Sequence, residues 1–188
     1  MRIGLLGGSF DPAHGGHLYV SEIARKALKL DYVWWLVSPG NPLKSDPMPL
    51  PVRVARARLL ARDRRIFVSD IEAQLGTRYT IDTVMALRKR FAHVHFIWLM
   101  GSDNLEQFSR WRRWQSIAVH IPIAVIRRPG TVLASLHAGL ARRLSTSPRL
   151  KCPPSLVVLD GPRSSESSTA LRERGLGAAA EAMLDLTP

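Results

Sequence analysis

Along this chain, short unbroken apolar runs alternate with stretches in which apolar residues recur every three or four positions. The first run, residues 3–6, stops at Gly7-Gly8, and after a loop Leu18, Ile23, Ala24, Ala27 and Leu28 follow at helical spacing. That order predicts a strand, a glycine loop and a helix. Residues 32–37 form a continuous apolar run ended by Ser38-Pro39-Gly40-Asn41-Pro42, as expected of a strand buried on both faces. The chain is then proline-rich and irregular as far as Pro51. Residues 52–61 read as a basic amphipathic helix, 66–68 as a short strand, and 81–91 as a helix with Thr80 as its N-cap.

Residues 94–100 predict another buried strand, closed by Gly101-Ser102-Asp103-Asn104. A tryptophan-rich helical stretch runs on to Ala118, and residues 121–126 form a strand ended by Arg127-Arg128-Pro129-Gly130. Residues 131–144 look helical, 145–154 read as a linker, 156–159 as a last strand, and 168–174 begin a helix behind a serine cluster. Strands alternating with amphipathic helices predict an α/β fold: one doubly wound domain over residues 1–188, its mostly parallel sheet covered on both faces. Ligands are expected at the carboxyl ends of the strands.

Composition fits one such domain. With 188 residues, 46% of them hydrophobic, the chain can bury a single sizeable core. Its one cysteine, Cys152, has no partner for an internal disulfide, and a reducing cytoplasmic setting is expected. Nothing in the sequence has the length of a signal-peptide core or a membrane span, so no membrane partner is expected. The net charge of +12 favours polyanions of any kind, and only five of the 27 basic residues are lysines. Arginine forks suit nucleotide phosphates as well as nucleic acid. A surface rich in arginine also arises from composition alone, so charge does not choose between these.

The first strand-loop-helix unit carries Gly4, Gly7 and Gly8, whose spacing fits neither G-x-G-x-x-G nor a Walker loop. It offers instead two glycines for close backbone approach, the Ser9 hydroxyl, Phe10, and two histidines, His14 and His17, at a helix start. Unpaired N–H groups and the helix dipole favour an anion there, and imidazole donors add hydrogen bonds to phosphate oxygens. A zinc pair would need further ligands at zinc spacing, which the sequence does not supply.

The stretch GGSFDPAHGGHL resembles the phosphate-binding segment of the nucleotidyltransferase superfamily with its (T/H)-x-G-H motif. The second superfamily motif, I-S-S-T-x-I/V-R, is matched by Ser167-Ser168-Thr169-Ala170-Leu171-Arg172, with Glu166 in place of isoleucine. A carboxylate beside a triphosphate repels it unless it points away, so Glu166 is a departure from the pattern. Histidine rather than threonine at position 14 is similar to bacterial nicotinate mononucleotide adenylyltransferases. So are Asn41-Pro42-Leu43-Lys44, Ser69-Asp70-Ile71-Glu72, Tyr79-Thr80-Ile81-Asp82-Thr83, Gly101-Ser102-Asp103-Asn104-Leu105, Phe108-Ser109-Arg110-Trp111 and Arg127-Arg128-Pro129-Gly130.

This resemblance implies a Rossmann-like fold and transfer of AMP from ATP to nicotinate mononucleotide, with Mg²⁺ bound through the ATP phosphates. It implies ATP contacts at Gly7, Gly8, Ser9, Phe10, His14, His17, Gly101, Asp103, Ser168, Thr169 and Arg172, with His14, His17 and Arg172 catalytic. Lys44, Tyr79, Thr80 and Trp111 would bind the acceptor, Trp111 by stacking on the pyridine ring. No metal bound directly by the protein and no specific nucleic acid are implied, and a homo-oligomer is compatible with the pattern. Two other readings stay open at this point: an adenylyltransferase for nicotinamide mononucleotide or phosphopantetheine, and a non-catalytic nucleic-acid-binding protein suggested by the charge.

Overall fold

The computed structural model describes residues 1–40, 48–127, 145–146 and 152–160. In chain order these form β1 (Arg2–Gly8), α1 (Gly15–Leu28), β2 (Tyr32–Val37), α2 (Leu50–Leu60), β3 (Ile66–Ser69), α3 (Ile71–Gln74) and α4 (Thr80–Arg90). They continue as β4 (His95–Gly101), α5 (Ser102–Phe108), α6 (Trp114–His120), β5 (Ile123–Ile126), β6 (Ser145–Thr146) and β7 (Ser155–Leu159). The sheet runs β3-β2-β1-β4-β5-β7-β6, and every neighbouring pair is parallel.

A parallel sheet buries both of its faces, so its central strands are apolar on both sides. In β1, Ile3 and Leu5 point into the core shared with α4, α5 and α6. Leu6 points the other way, into the core shared with α1 and α2. The chain leaves β1 toward β2 on one side and β4 toward β5 on the other, so the winding reverses between them. Their carboxyl ends therefore frame a crevice, the usual place for a ligand in such a sheet.

The strands agree closely with the sequence pattern, but β1 continues through the two glycines at which the apolar run ends. Gly7 pairs with Leu36 and Gly8 with Val37. Gly7 thins the sheet where an indole crosses it: a Cβ there would lie 2.7 Å from Cη2 of Trp98. The tryptophan-rich stretch is two short helices rather than one, broken where Arg113 enters the left-handed region at φ 52°. The four-residue α3 and the short β6, the latter within the expected linker, were not foreseen. Thr80 is not the N-cap of α4 but its first residue; Tyr79 caps it with extended backbone and no side-chain hydrogen bond. The helices expected over 131–144 and 168–174 lie outside the described residues.

At the opposite edge of the sheet, the amino ends of β1, β4 and β5 and the residues before β7 frame a cavity of about 690 Å³. Arg2, Arg88, His95, His120 and Cys152 line it. Among the described residues no helix is long and apolar enough to cross a membrane.

Replacing Gly7 with alanine should force the Trp98 ring aside and destabilise the fold by about 1–3 kcal/mol. Thermal denaturation reads this as a lower midpoint. An unchanged midpoint would mean that the indole moves without cost.

Candidate active site at the carboxyl ends of β1 and β4

The loop leaving β1 turns sharply at Phe10, whose backbone is left-handed at φ 49°. For a bulky side chain that conformation costs on the order of 1–2 kcal/mol. Burial of the ring offsets it: Phe10 is 1% exposed, with ring centroids 4.4 Å from His17 and 5.1 Å from Trp35.

The two histidines that follow cap α1 reciprocally. Nδ1 of His14 accepts from the Gly16 N–H at 3.1 Å, and Nδ1 of His17 accepts from the His14 N–H at 3.2 Å. Each Nδ1 spends its lone pair on the backbone, so each neutral ring carries its proton on Nε2. The rings lie 4.0 Å apart. No acidic residue occupies the first turn of α1, and its positive dipole end is left for an anion. The turn is anchored from beneath: the Trp35 indole N–H donates to Ser21 Oγ at 2.8 Å, and that hydroxyl donates to the His17 carbonyl at 2.7 Å.

Arg53 was missed by sequence reasoning. It is 1% exposed, although it sits in a helix that reads as a basic surface. Nη1 donates to the carbonyls of Ser9 at 2.7 Å and Ser38 at 2.8 Å, Nη2 to Pro39 at 3.2 Å, and Nε to Met48 at 2.7 Å. One guanidinium thus ties the loops after β1 and β2 to the start of α2. The available signal was its place four residues before the buried Ala57, on the inward side of α2.

A second cluster lies at the start of α4. Tyr79 is half-buried, with the Arg112 guanidinium carbon 4.5 Å from its ring centroid. The neighbouring Trp111 is held edge-on by Trp98 at 6.0 Å and by Phe108 at 5.4 Å. Trp98 Nε1 is buried with no hydrogen-bond partner among the described residues. Glu72 of α3 is buried behind this cluster and accepts from Thr83 Oγ1 at 3.1 Å. Burial pushes its carboxyl up from 4.5 to about 7, against the lowering effect of the Thr83 hydroxyl.

Of the residues singled out in the sequence, Gly7, Gly8, Ser9, Phe10, His14 and His17 come together in and after β1. Gly101 ends β4 and caps α5, which places Asp103 in the exposed first turn of that helix. Trp114 is partly buried and packs on Phe108 against the core. Lys44 of the Asn41-Pro42-Leu43-Lys44 match, and Glu166, Ser168, Thr169 and Arg172, lie outside the described residues. Among the described residues, no group of three or more His, Cys, Asp or Glu is placed to hold a metal ion.

A parallel sheet with a glycine loop and a histidine-capped helix at its reversal point defines a nucleotidyltransferase-like site, and residues 5–174 match the cytidylyltransferase-like family, to which the chain belongs. Within that family it stands with the nicotinate-nucleotide adenylyltransferases. It is 51% identical over 187 residues to a Parvibaculum lavamentivorans protein named "Probable nicotinate-nucleotide adenylyltransferase", covering 93% of this chain and 92% of that one. A protein of the same name from Cereibacter sphaeroides is 51% identical over 182 residues, covering 93% and 98%. Plasmodium falciparum nicotinic acid mononucleotide adenylyltransferase complexed with NaAD aligns with a TM-score of 0.72 over 92% of this chain and 82% of that one. At 18% identity that likeness shows the shared fold.

Truncating Arg53 to alanine strands the carbonyls it serves and should cost roughly 3–5 kcal/mol, with lysine recovering only part because it lacks the fork. Denaturant titration checks both variants. Glu72 sets a pH dependence of stability. Its folded pKa is raised from 4.5 to about 7, so the folded state keeps a proton that the unfolded chain has lost. Stability contributed by Glu72 is greatest below the unfolded value and falls as pH rises through that window, by on the order of 3 kcal/mol. The Glu72→Gln variant should flatten this slope in denaturation measured from pH 5 to 8; a slope identical to the parent's would assign the effect elsewhere.

Proposed function

We propose that this chain transfers the adenylyl group of ATP to nicotinate mononucleotide, giving nicotinate adenine dinucleotide and pyrophosphate. The observation that carries the reading is the reciprocal His14/His17 cap at the reversal point of the sheet, in a chain about half identical to proteins named for this activity.

In the reaction, an oxygen of the acceptor phosphate attacks the α-phosphorus of ATP. A new P–O bond forms as the bond to the β-phosphate oxygen breaks, and that electron pair leaves with pyrophosphate. The attacking phosphate is already ionised, so no general base is required. What the protein supplies is alignment of two polyanions and donors for the charge on the transferred group. His14 and His17 donate from Nε2 to the α-phosphate oxygens, supported by the N-terminus of α1. Gly7 and Gly8 let the backbone approach the phosphates, Ser9 and Phe10 shape the loop, and Asp103 after Gly101 accepts from the ribose hydroxyls.

The acceptor lies across the crevice. Its pyridine ring stacks on Trp111, and its carboxylate meets the N–H groups at the start of α4, beside Tyr79 and Thr80. The absence of a side-chain cap on that helix supports this assignment, because its first donors are left for a ligand. Lys44, Ser168, Thr169 and Arg172 are assigned to phosphate on their motifs alone. Mg²⁺ would enter with ATP, bound through its phosphates as the resemblance implies, and would neutralise phosphate charge there.

His17→Ala should lower turnover by about 10²–10³-fold, in line with loss of a donor to a developing charge, while circular dichroism stays native. Pyrophosphate release with nicotinate mononucleotide, nicotinamide mononucleotide and phosphopantetheine offered in parallel tests the acceptor. Turnover with the nicotinate compound is expected; preference for another acceptor would keep the chemistry and move the substrate. Silence with all three, together with salt-sensitive DNA binding, would overturn the reading.

A further inference from the structure

The first turn of α4 has no side-chain cap from its N-cap residue Tyr79. The residues around it form a ring of hydrogen bonds. Thr83 Oγ1 lies 3.1 Å from Glu72 Oε1 and 2.8 Å from Thr77 Oγ1. Thr77 returns to the Glu72 carbonyl, donating from its backbone N–H at 2.9 Å and from its hydroxyl at 3.3 Å. The Tyr79 carbonyl accepts from the Thr83 N–H at 3.2 Å. Side chain and main chain of Glu72 therefore grip both ends of the segment from Thr77 to Thr83.

We propose that Glu72 is a positioning residue for the acceptor: through Thr77 and Thr83 it fixes the turn that carries Tyr79 and Thr80. This rests on the assignment of those two residues to acceptor binding. A carboxyl 8% exposed is a costly choice for a purely structural filler, since an apolar side chain of similar size would avoid its desolvation. What the carboxyl adds is direction. When neutral it donates to Thr83, Thr83 to Thr77, and Thr77 to the Glu72 carbonyl, so every hydroxyl proton has an acceptor and the ring closes on itself. When ionised it accepts from Thr83, which in turn accepts from Thr77. Burial brings its titration to about 7, so both arrangements are available near neutral pH. The α1 histidines and the Gly101 end of β4 take no part in this ring, so its loss should be felt on the acceptor side of the crevice.

The test is steady-state kinetics on Glu72→Ala, Glu72→Gln and Thr83→Val, varying ATP and nicotinate mononucleotide separately. Glu72→Ala and Thr83→Val should raise the acceptor KM by about tenfold, the equivalent of one lost hydrogen bond, with the KM for ATP changed less than about twofold. Glu72→Gln can donate and accept where the carboxyl does, and should restore the acceptor KM to near the parent value. If Glu72→Ala does not fold, the other two variants carry the comparison. Equal rises in both KM values, no rise at all, or a glutamine variant as impaired as the valine variant would overturn the positioning role. Absence of turnover with nicotinate mononucleotide in the parent protein would overturn the acceptor assignment, and the role of Glu72 with it.

Discussion

The carboxyl edge of the sheet depends on one buried guanidinium. Loops that leave parallel strands turn their carbonyls away from the ladder, and inside a protein each such oxygen needs a donor. Arg53 supplies donors to the carbonyls of Ser9, Ser38, Pro39 and Met48 at once. The fixed planar fork of arginine suits this work, because its donors diverge toward separate acceptors without a further torsion to freeze. The loop bearing Phe10 is thereby tied to its neighbours before any nucleotide binds. The cost of ordering it is met in folding rather than in catalysis.

The same economy governs the histidines. A helix start needs acceptors for its N–H groups, and a phosphate site needs donors; an imidazole has one of each on opposite sides of its ring. His14 and His17 turn their Nδ1 acceptors to the backbone and keep the proton on Nε2. Serine would cap the helix equally well but could not fix a donor in this way. The pairing explains why two histidines stand three residues apart, a spacing that by itself admits a metal site.

Much of this was legible in the sequence, and the exceptions share a cause. Unbroken apolar runs such as residues 32–37 locate buried strands, because both faces of a parallel strand are covered. The continuation of β1 through Gly7 and Gly8 was not legible, because it depends on their pairing with Leu36 and Val37 of β2. Arg53 and Glu72 look like solvated charges in a string, and only the folded chain shows the carbonyls and hydroxyls that draw them inside. The cap of α4 was misread for a related reason: a threonine before a helix is a good local cap, but here Thr83 and Glu72 hold the turn, leaving Thr80 inside it. Local pattern reports periodicity well and long-range polar contacts poorly.

The lone thiol has a practical side. Cys152 is the one cysteine in the sequence, it is exposed, and it precedes β7 at the amino edge of the sheet, the pole opposite His14 and His17. A maleimide dye or a gold surface would therefore attach at a single point. Every tethered molecule would face the same way, with its crevice turned toward solution.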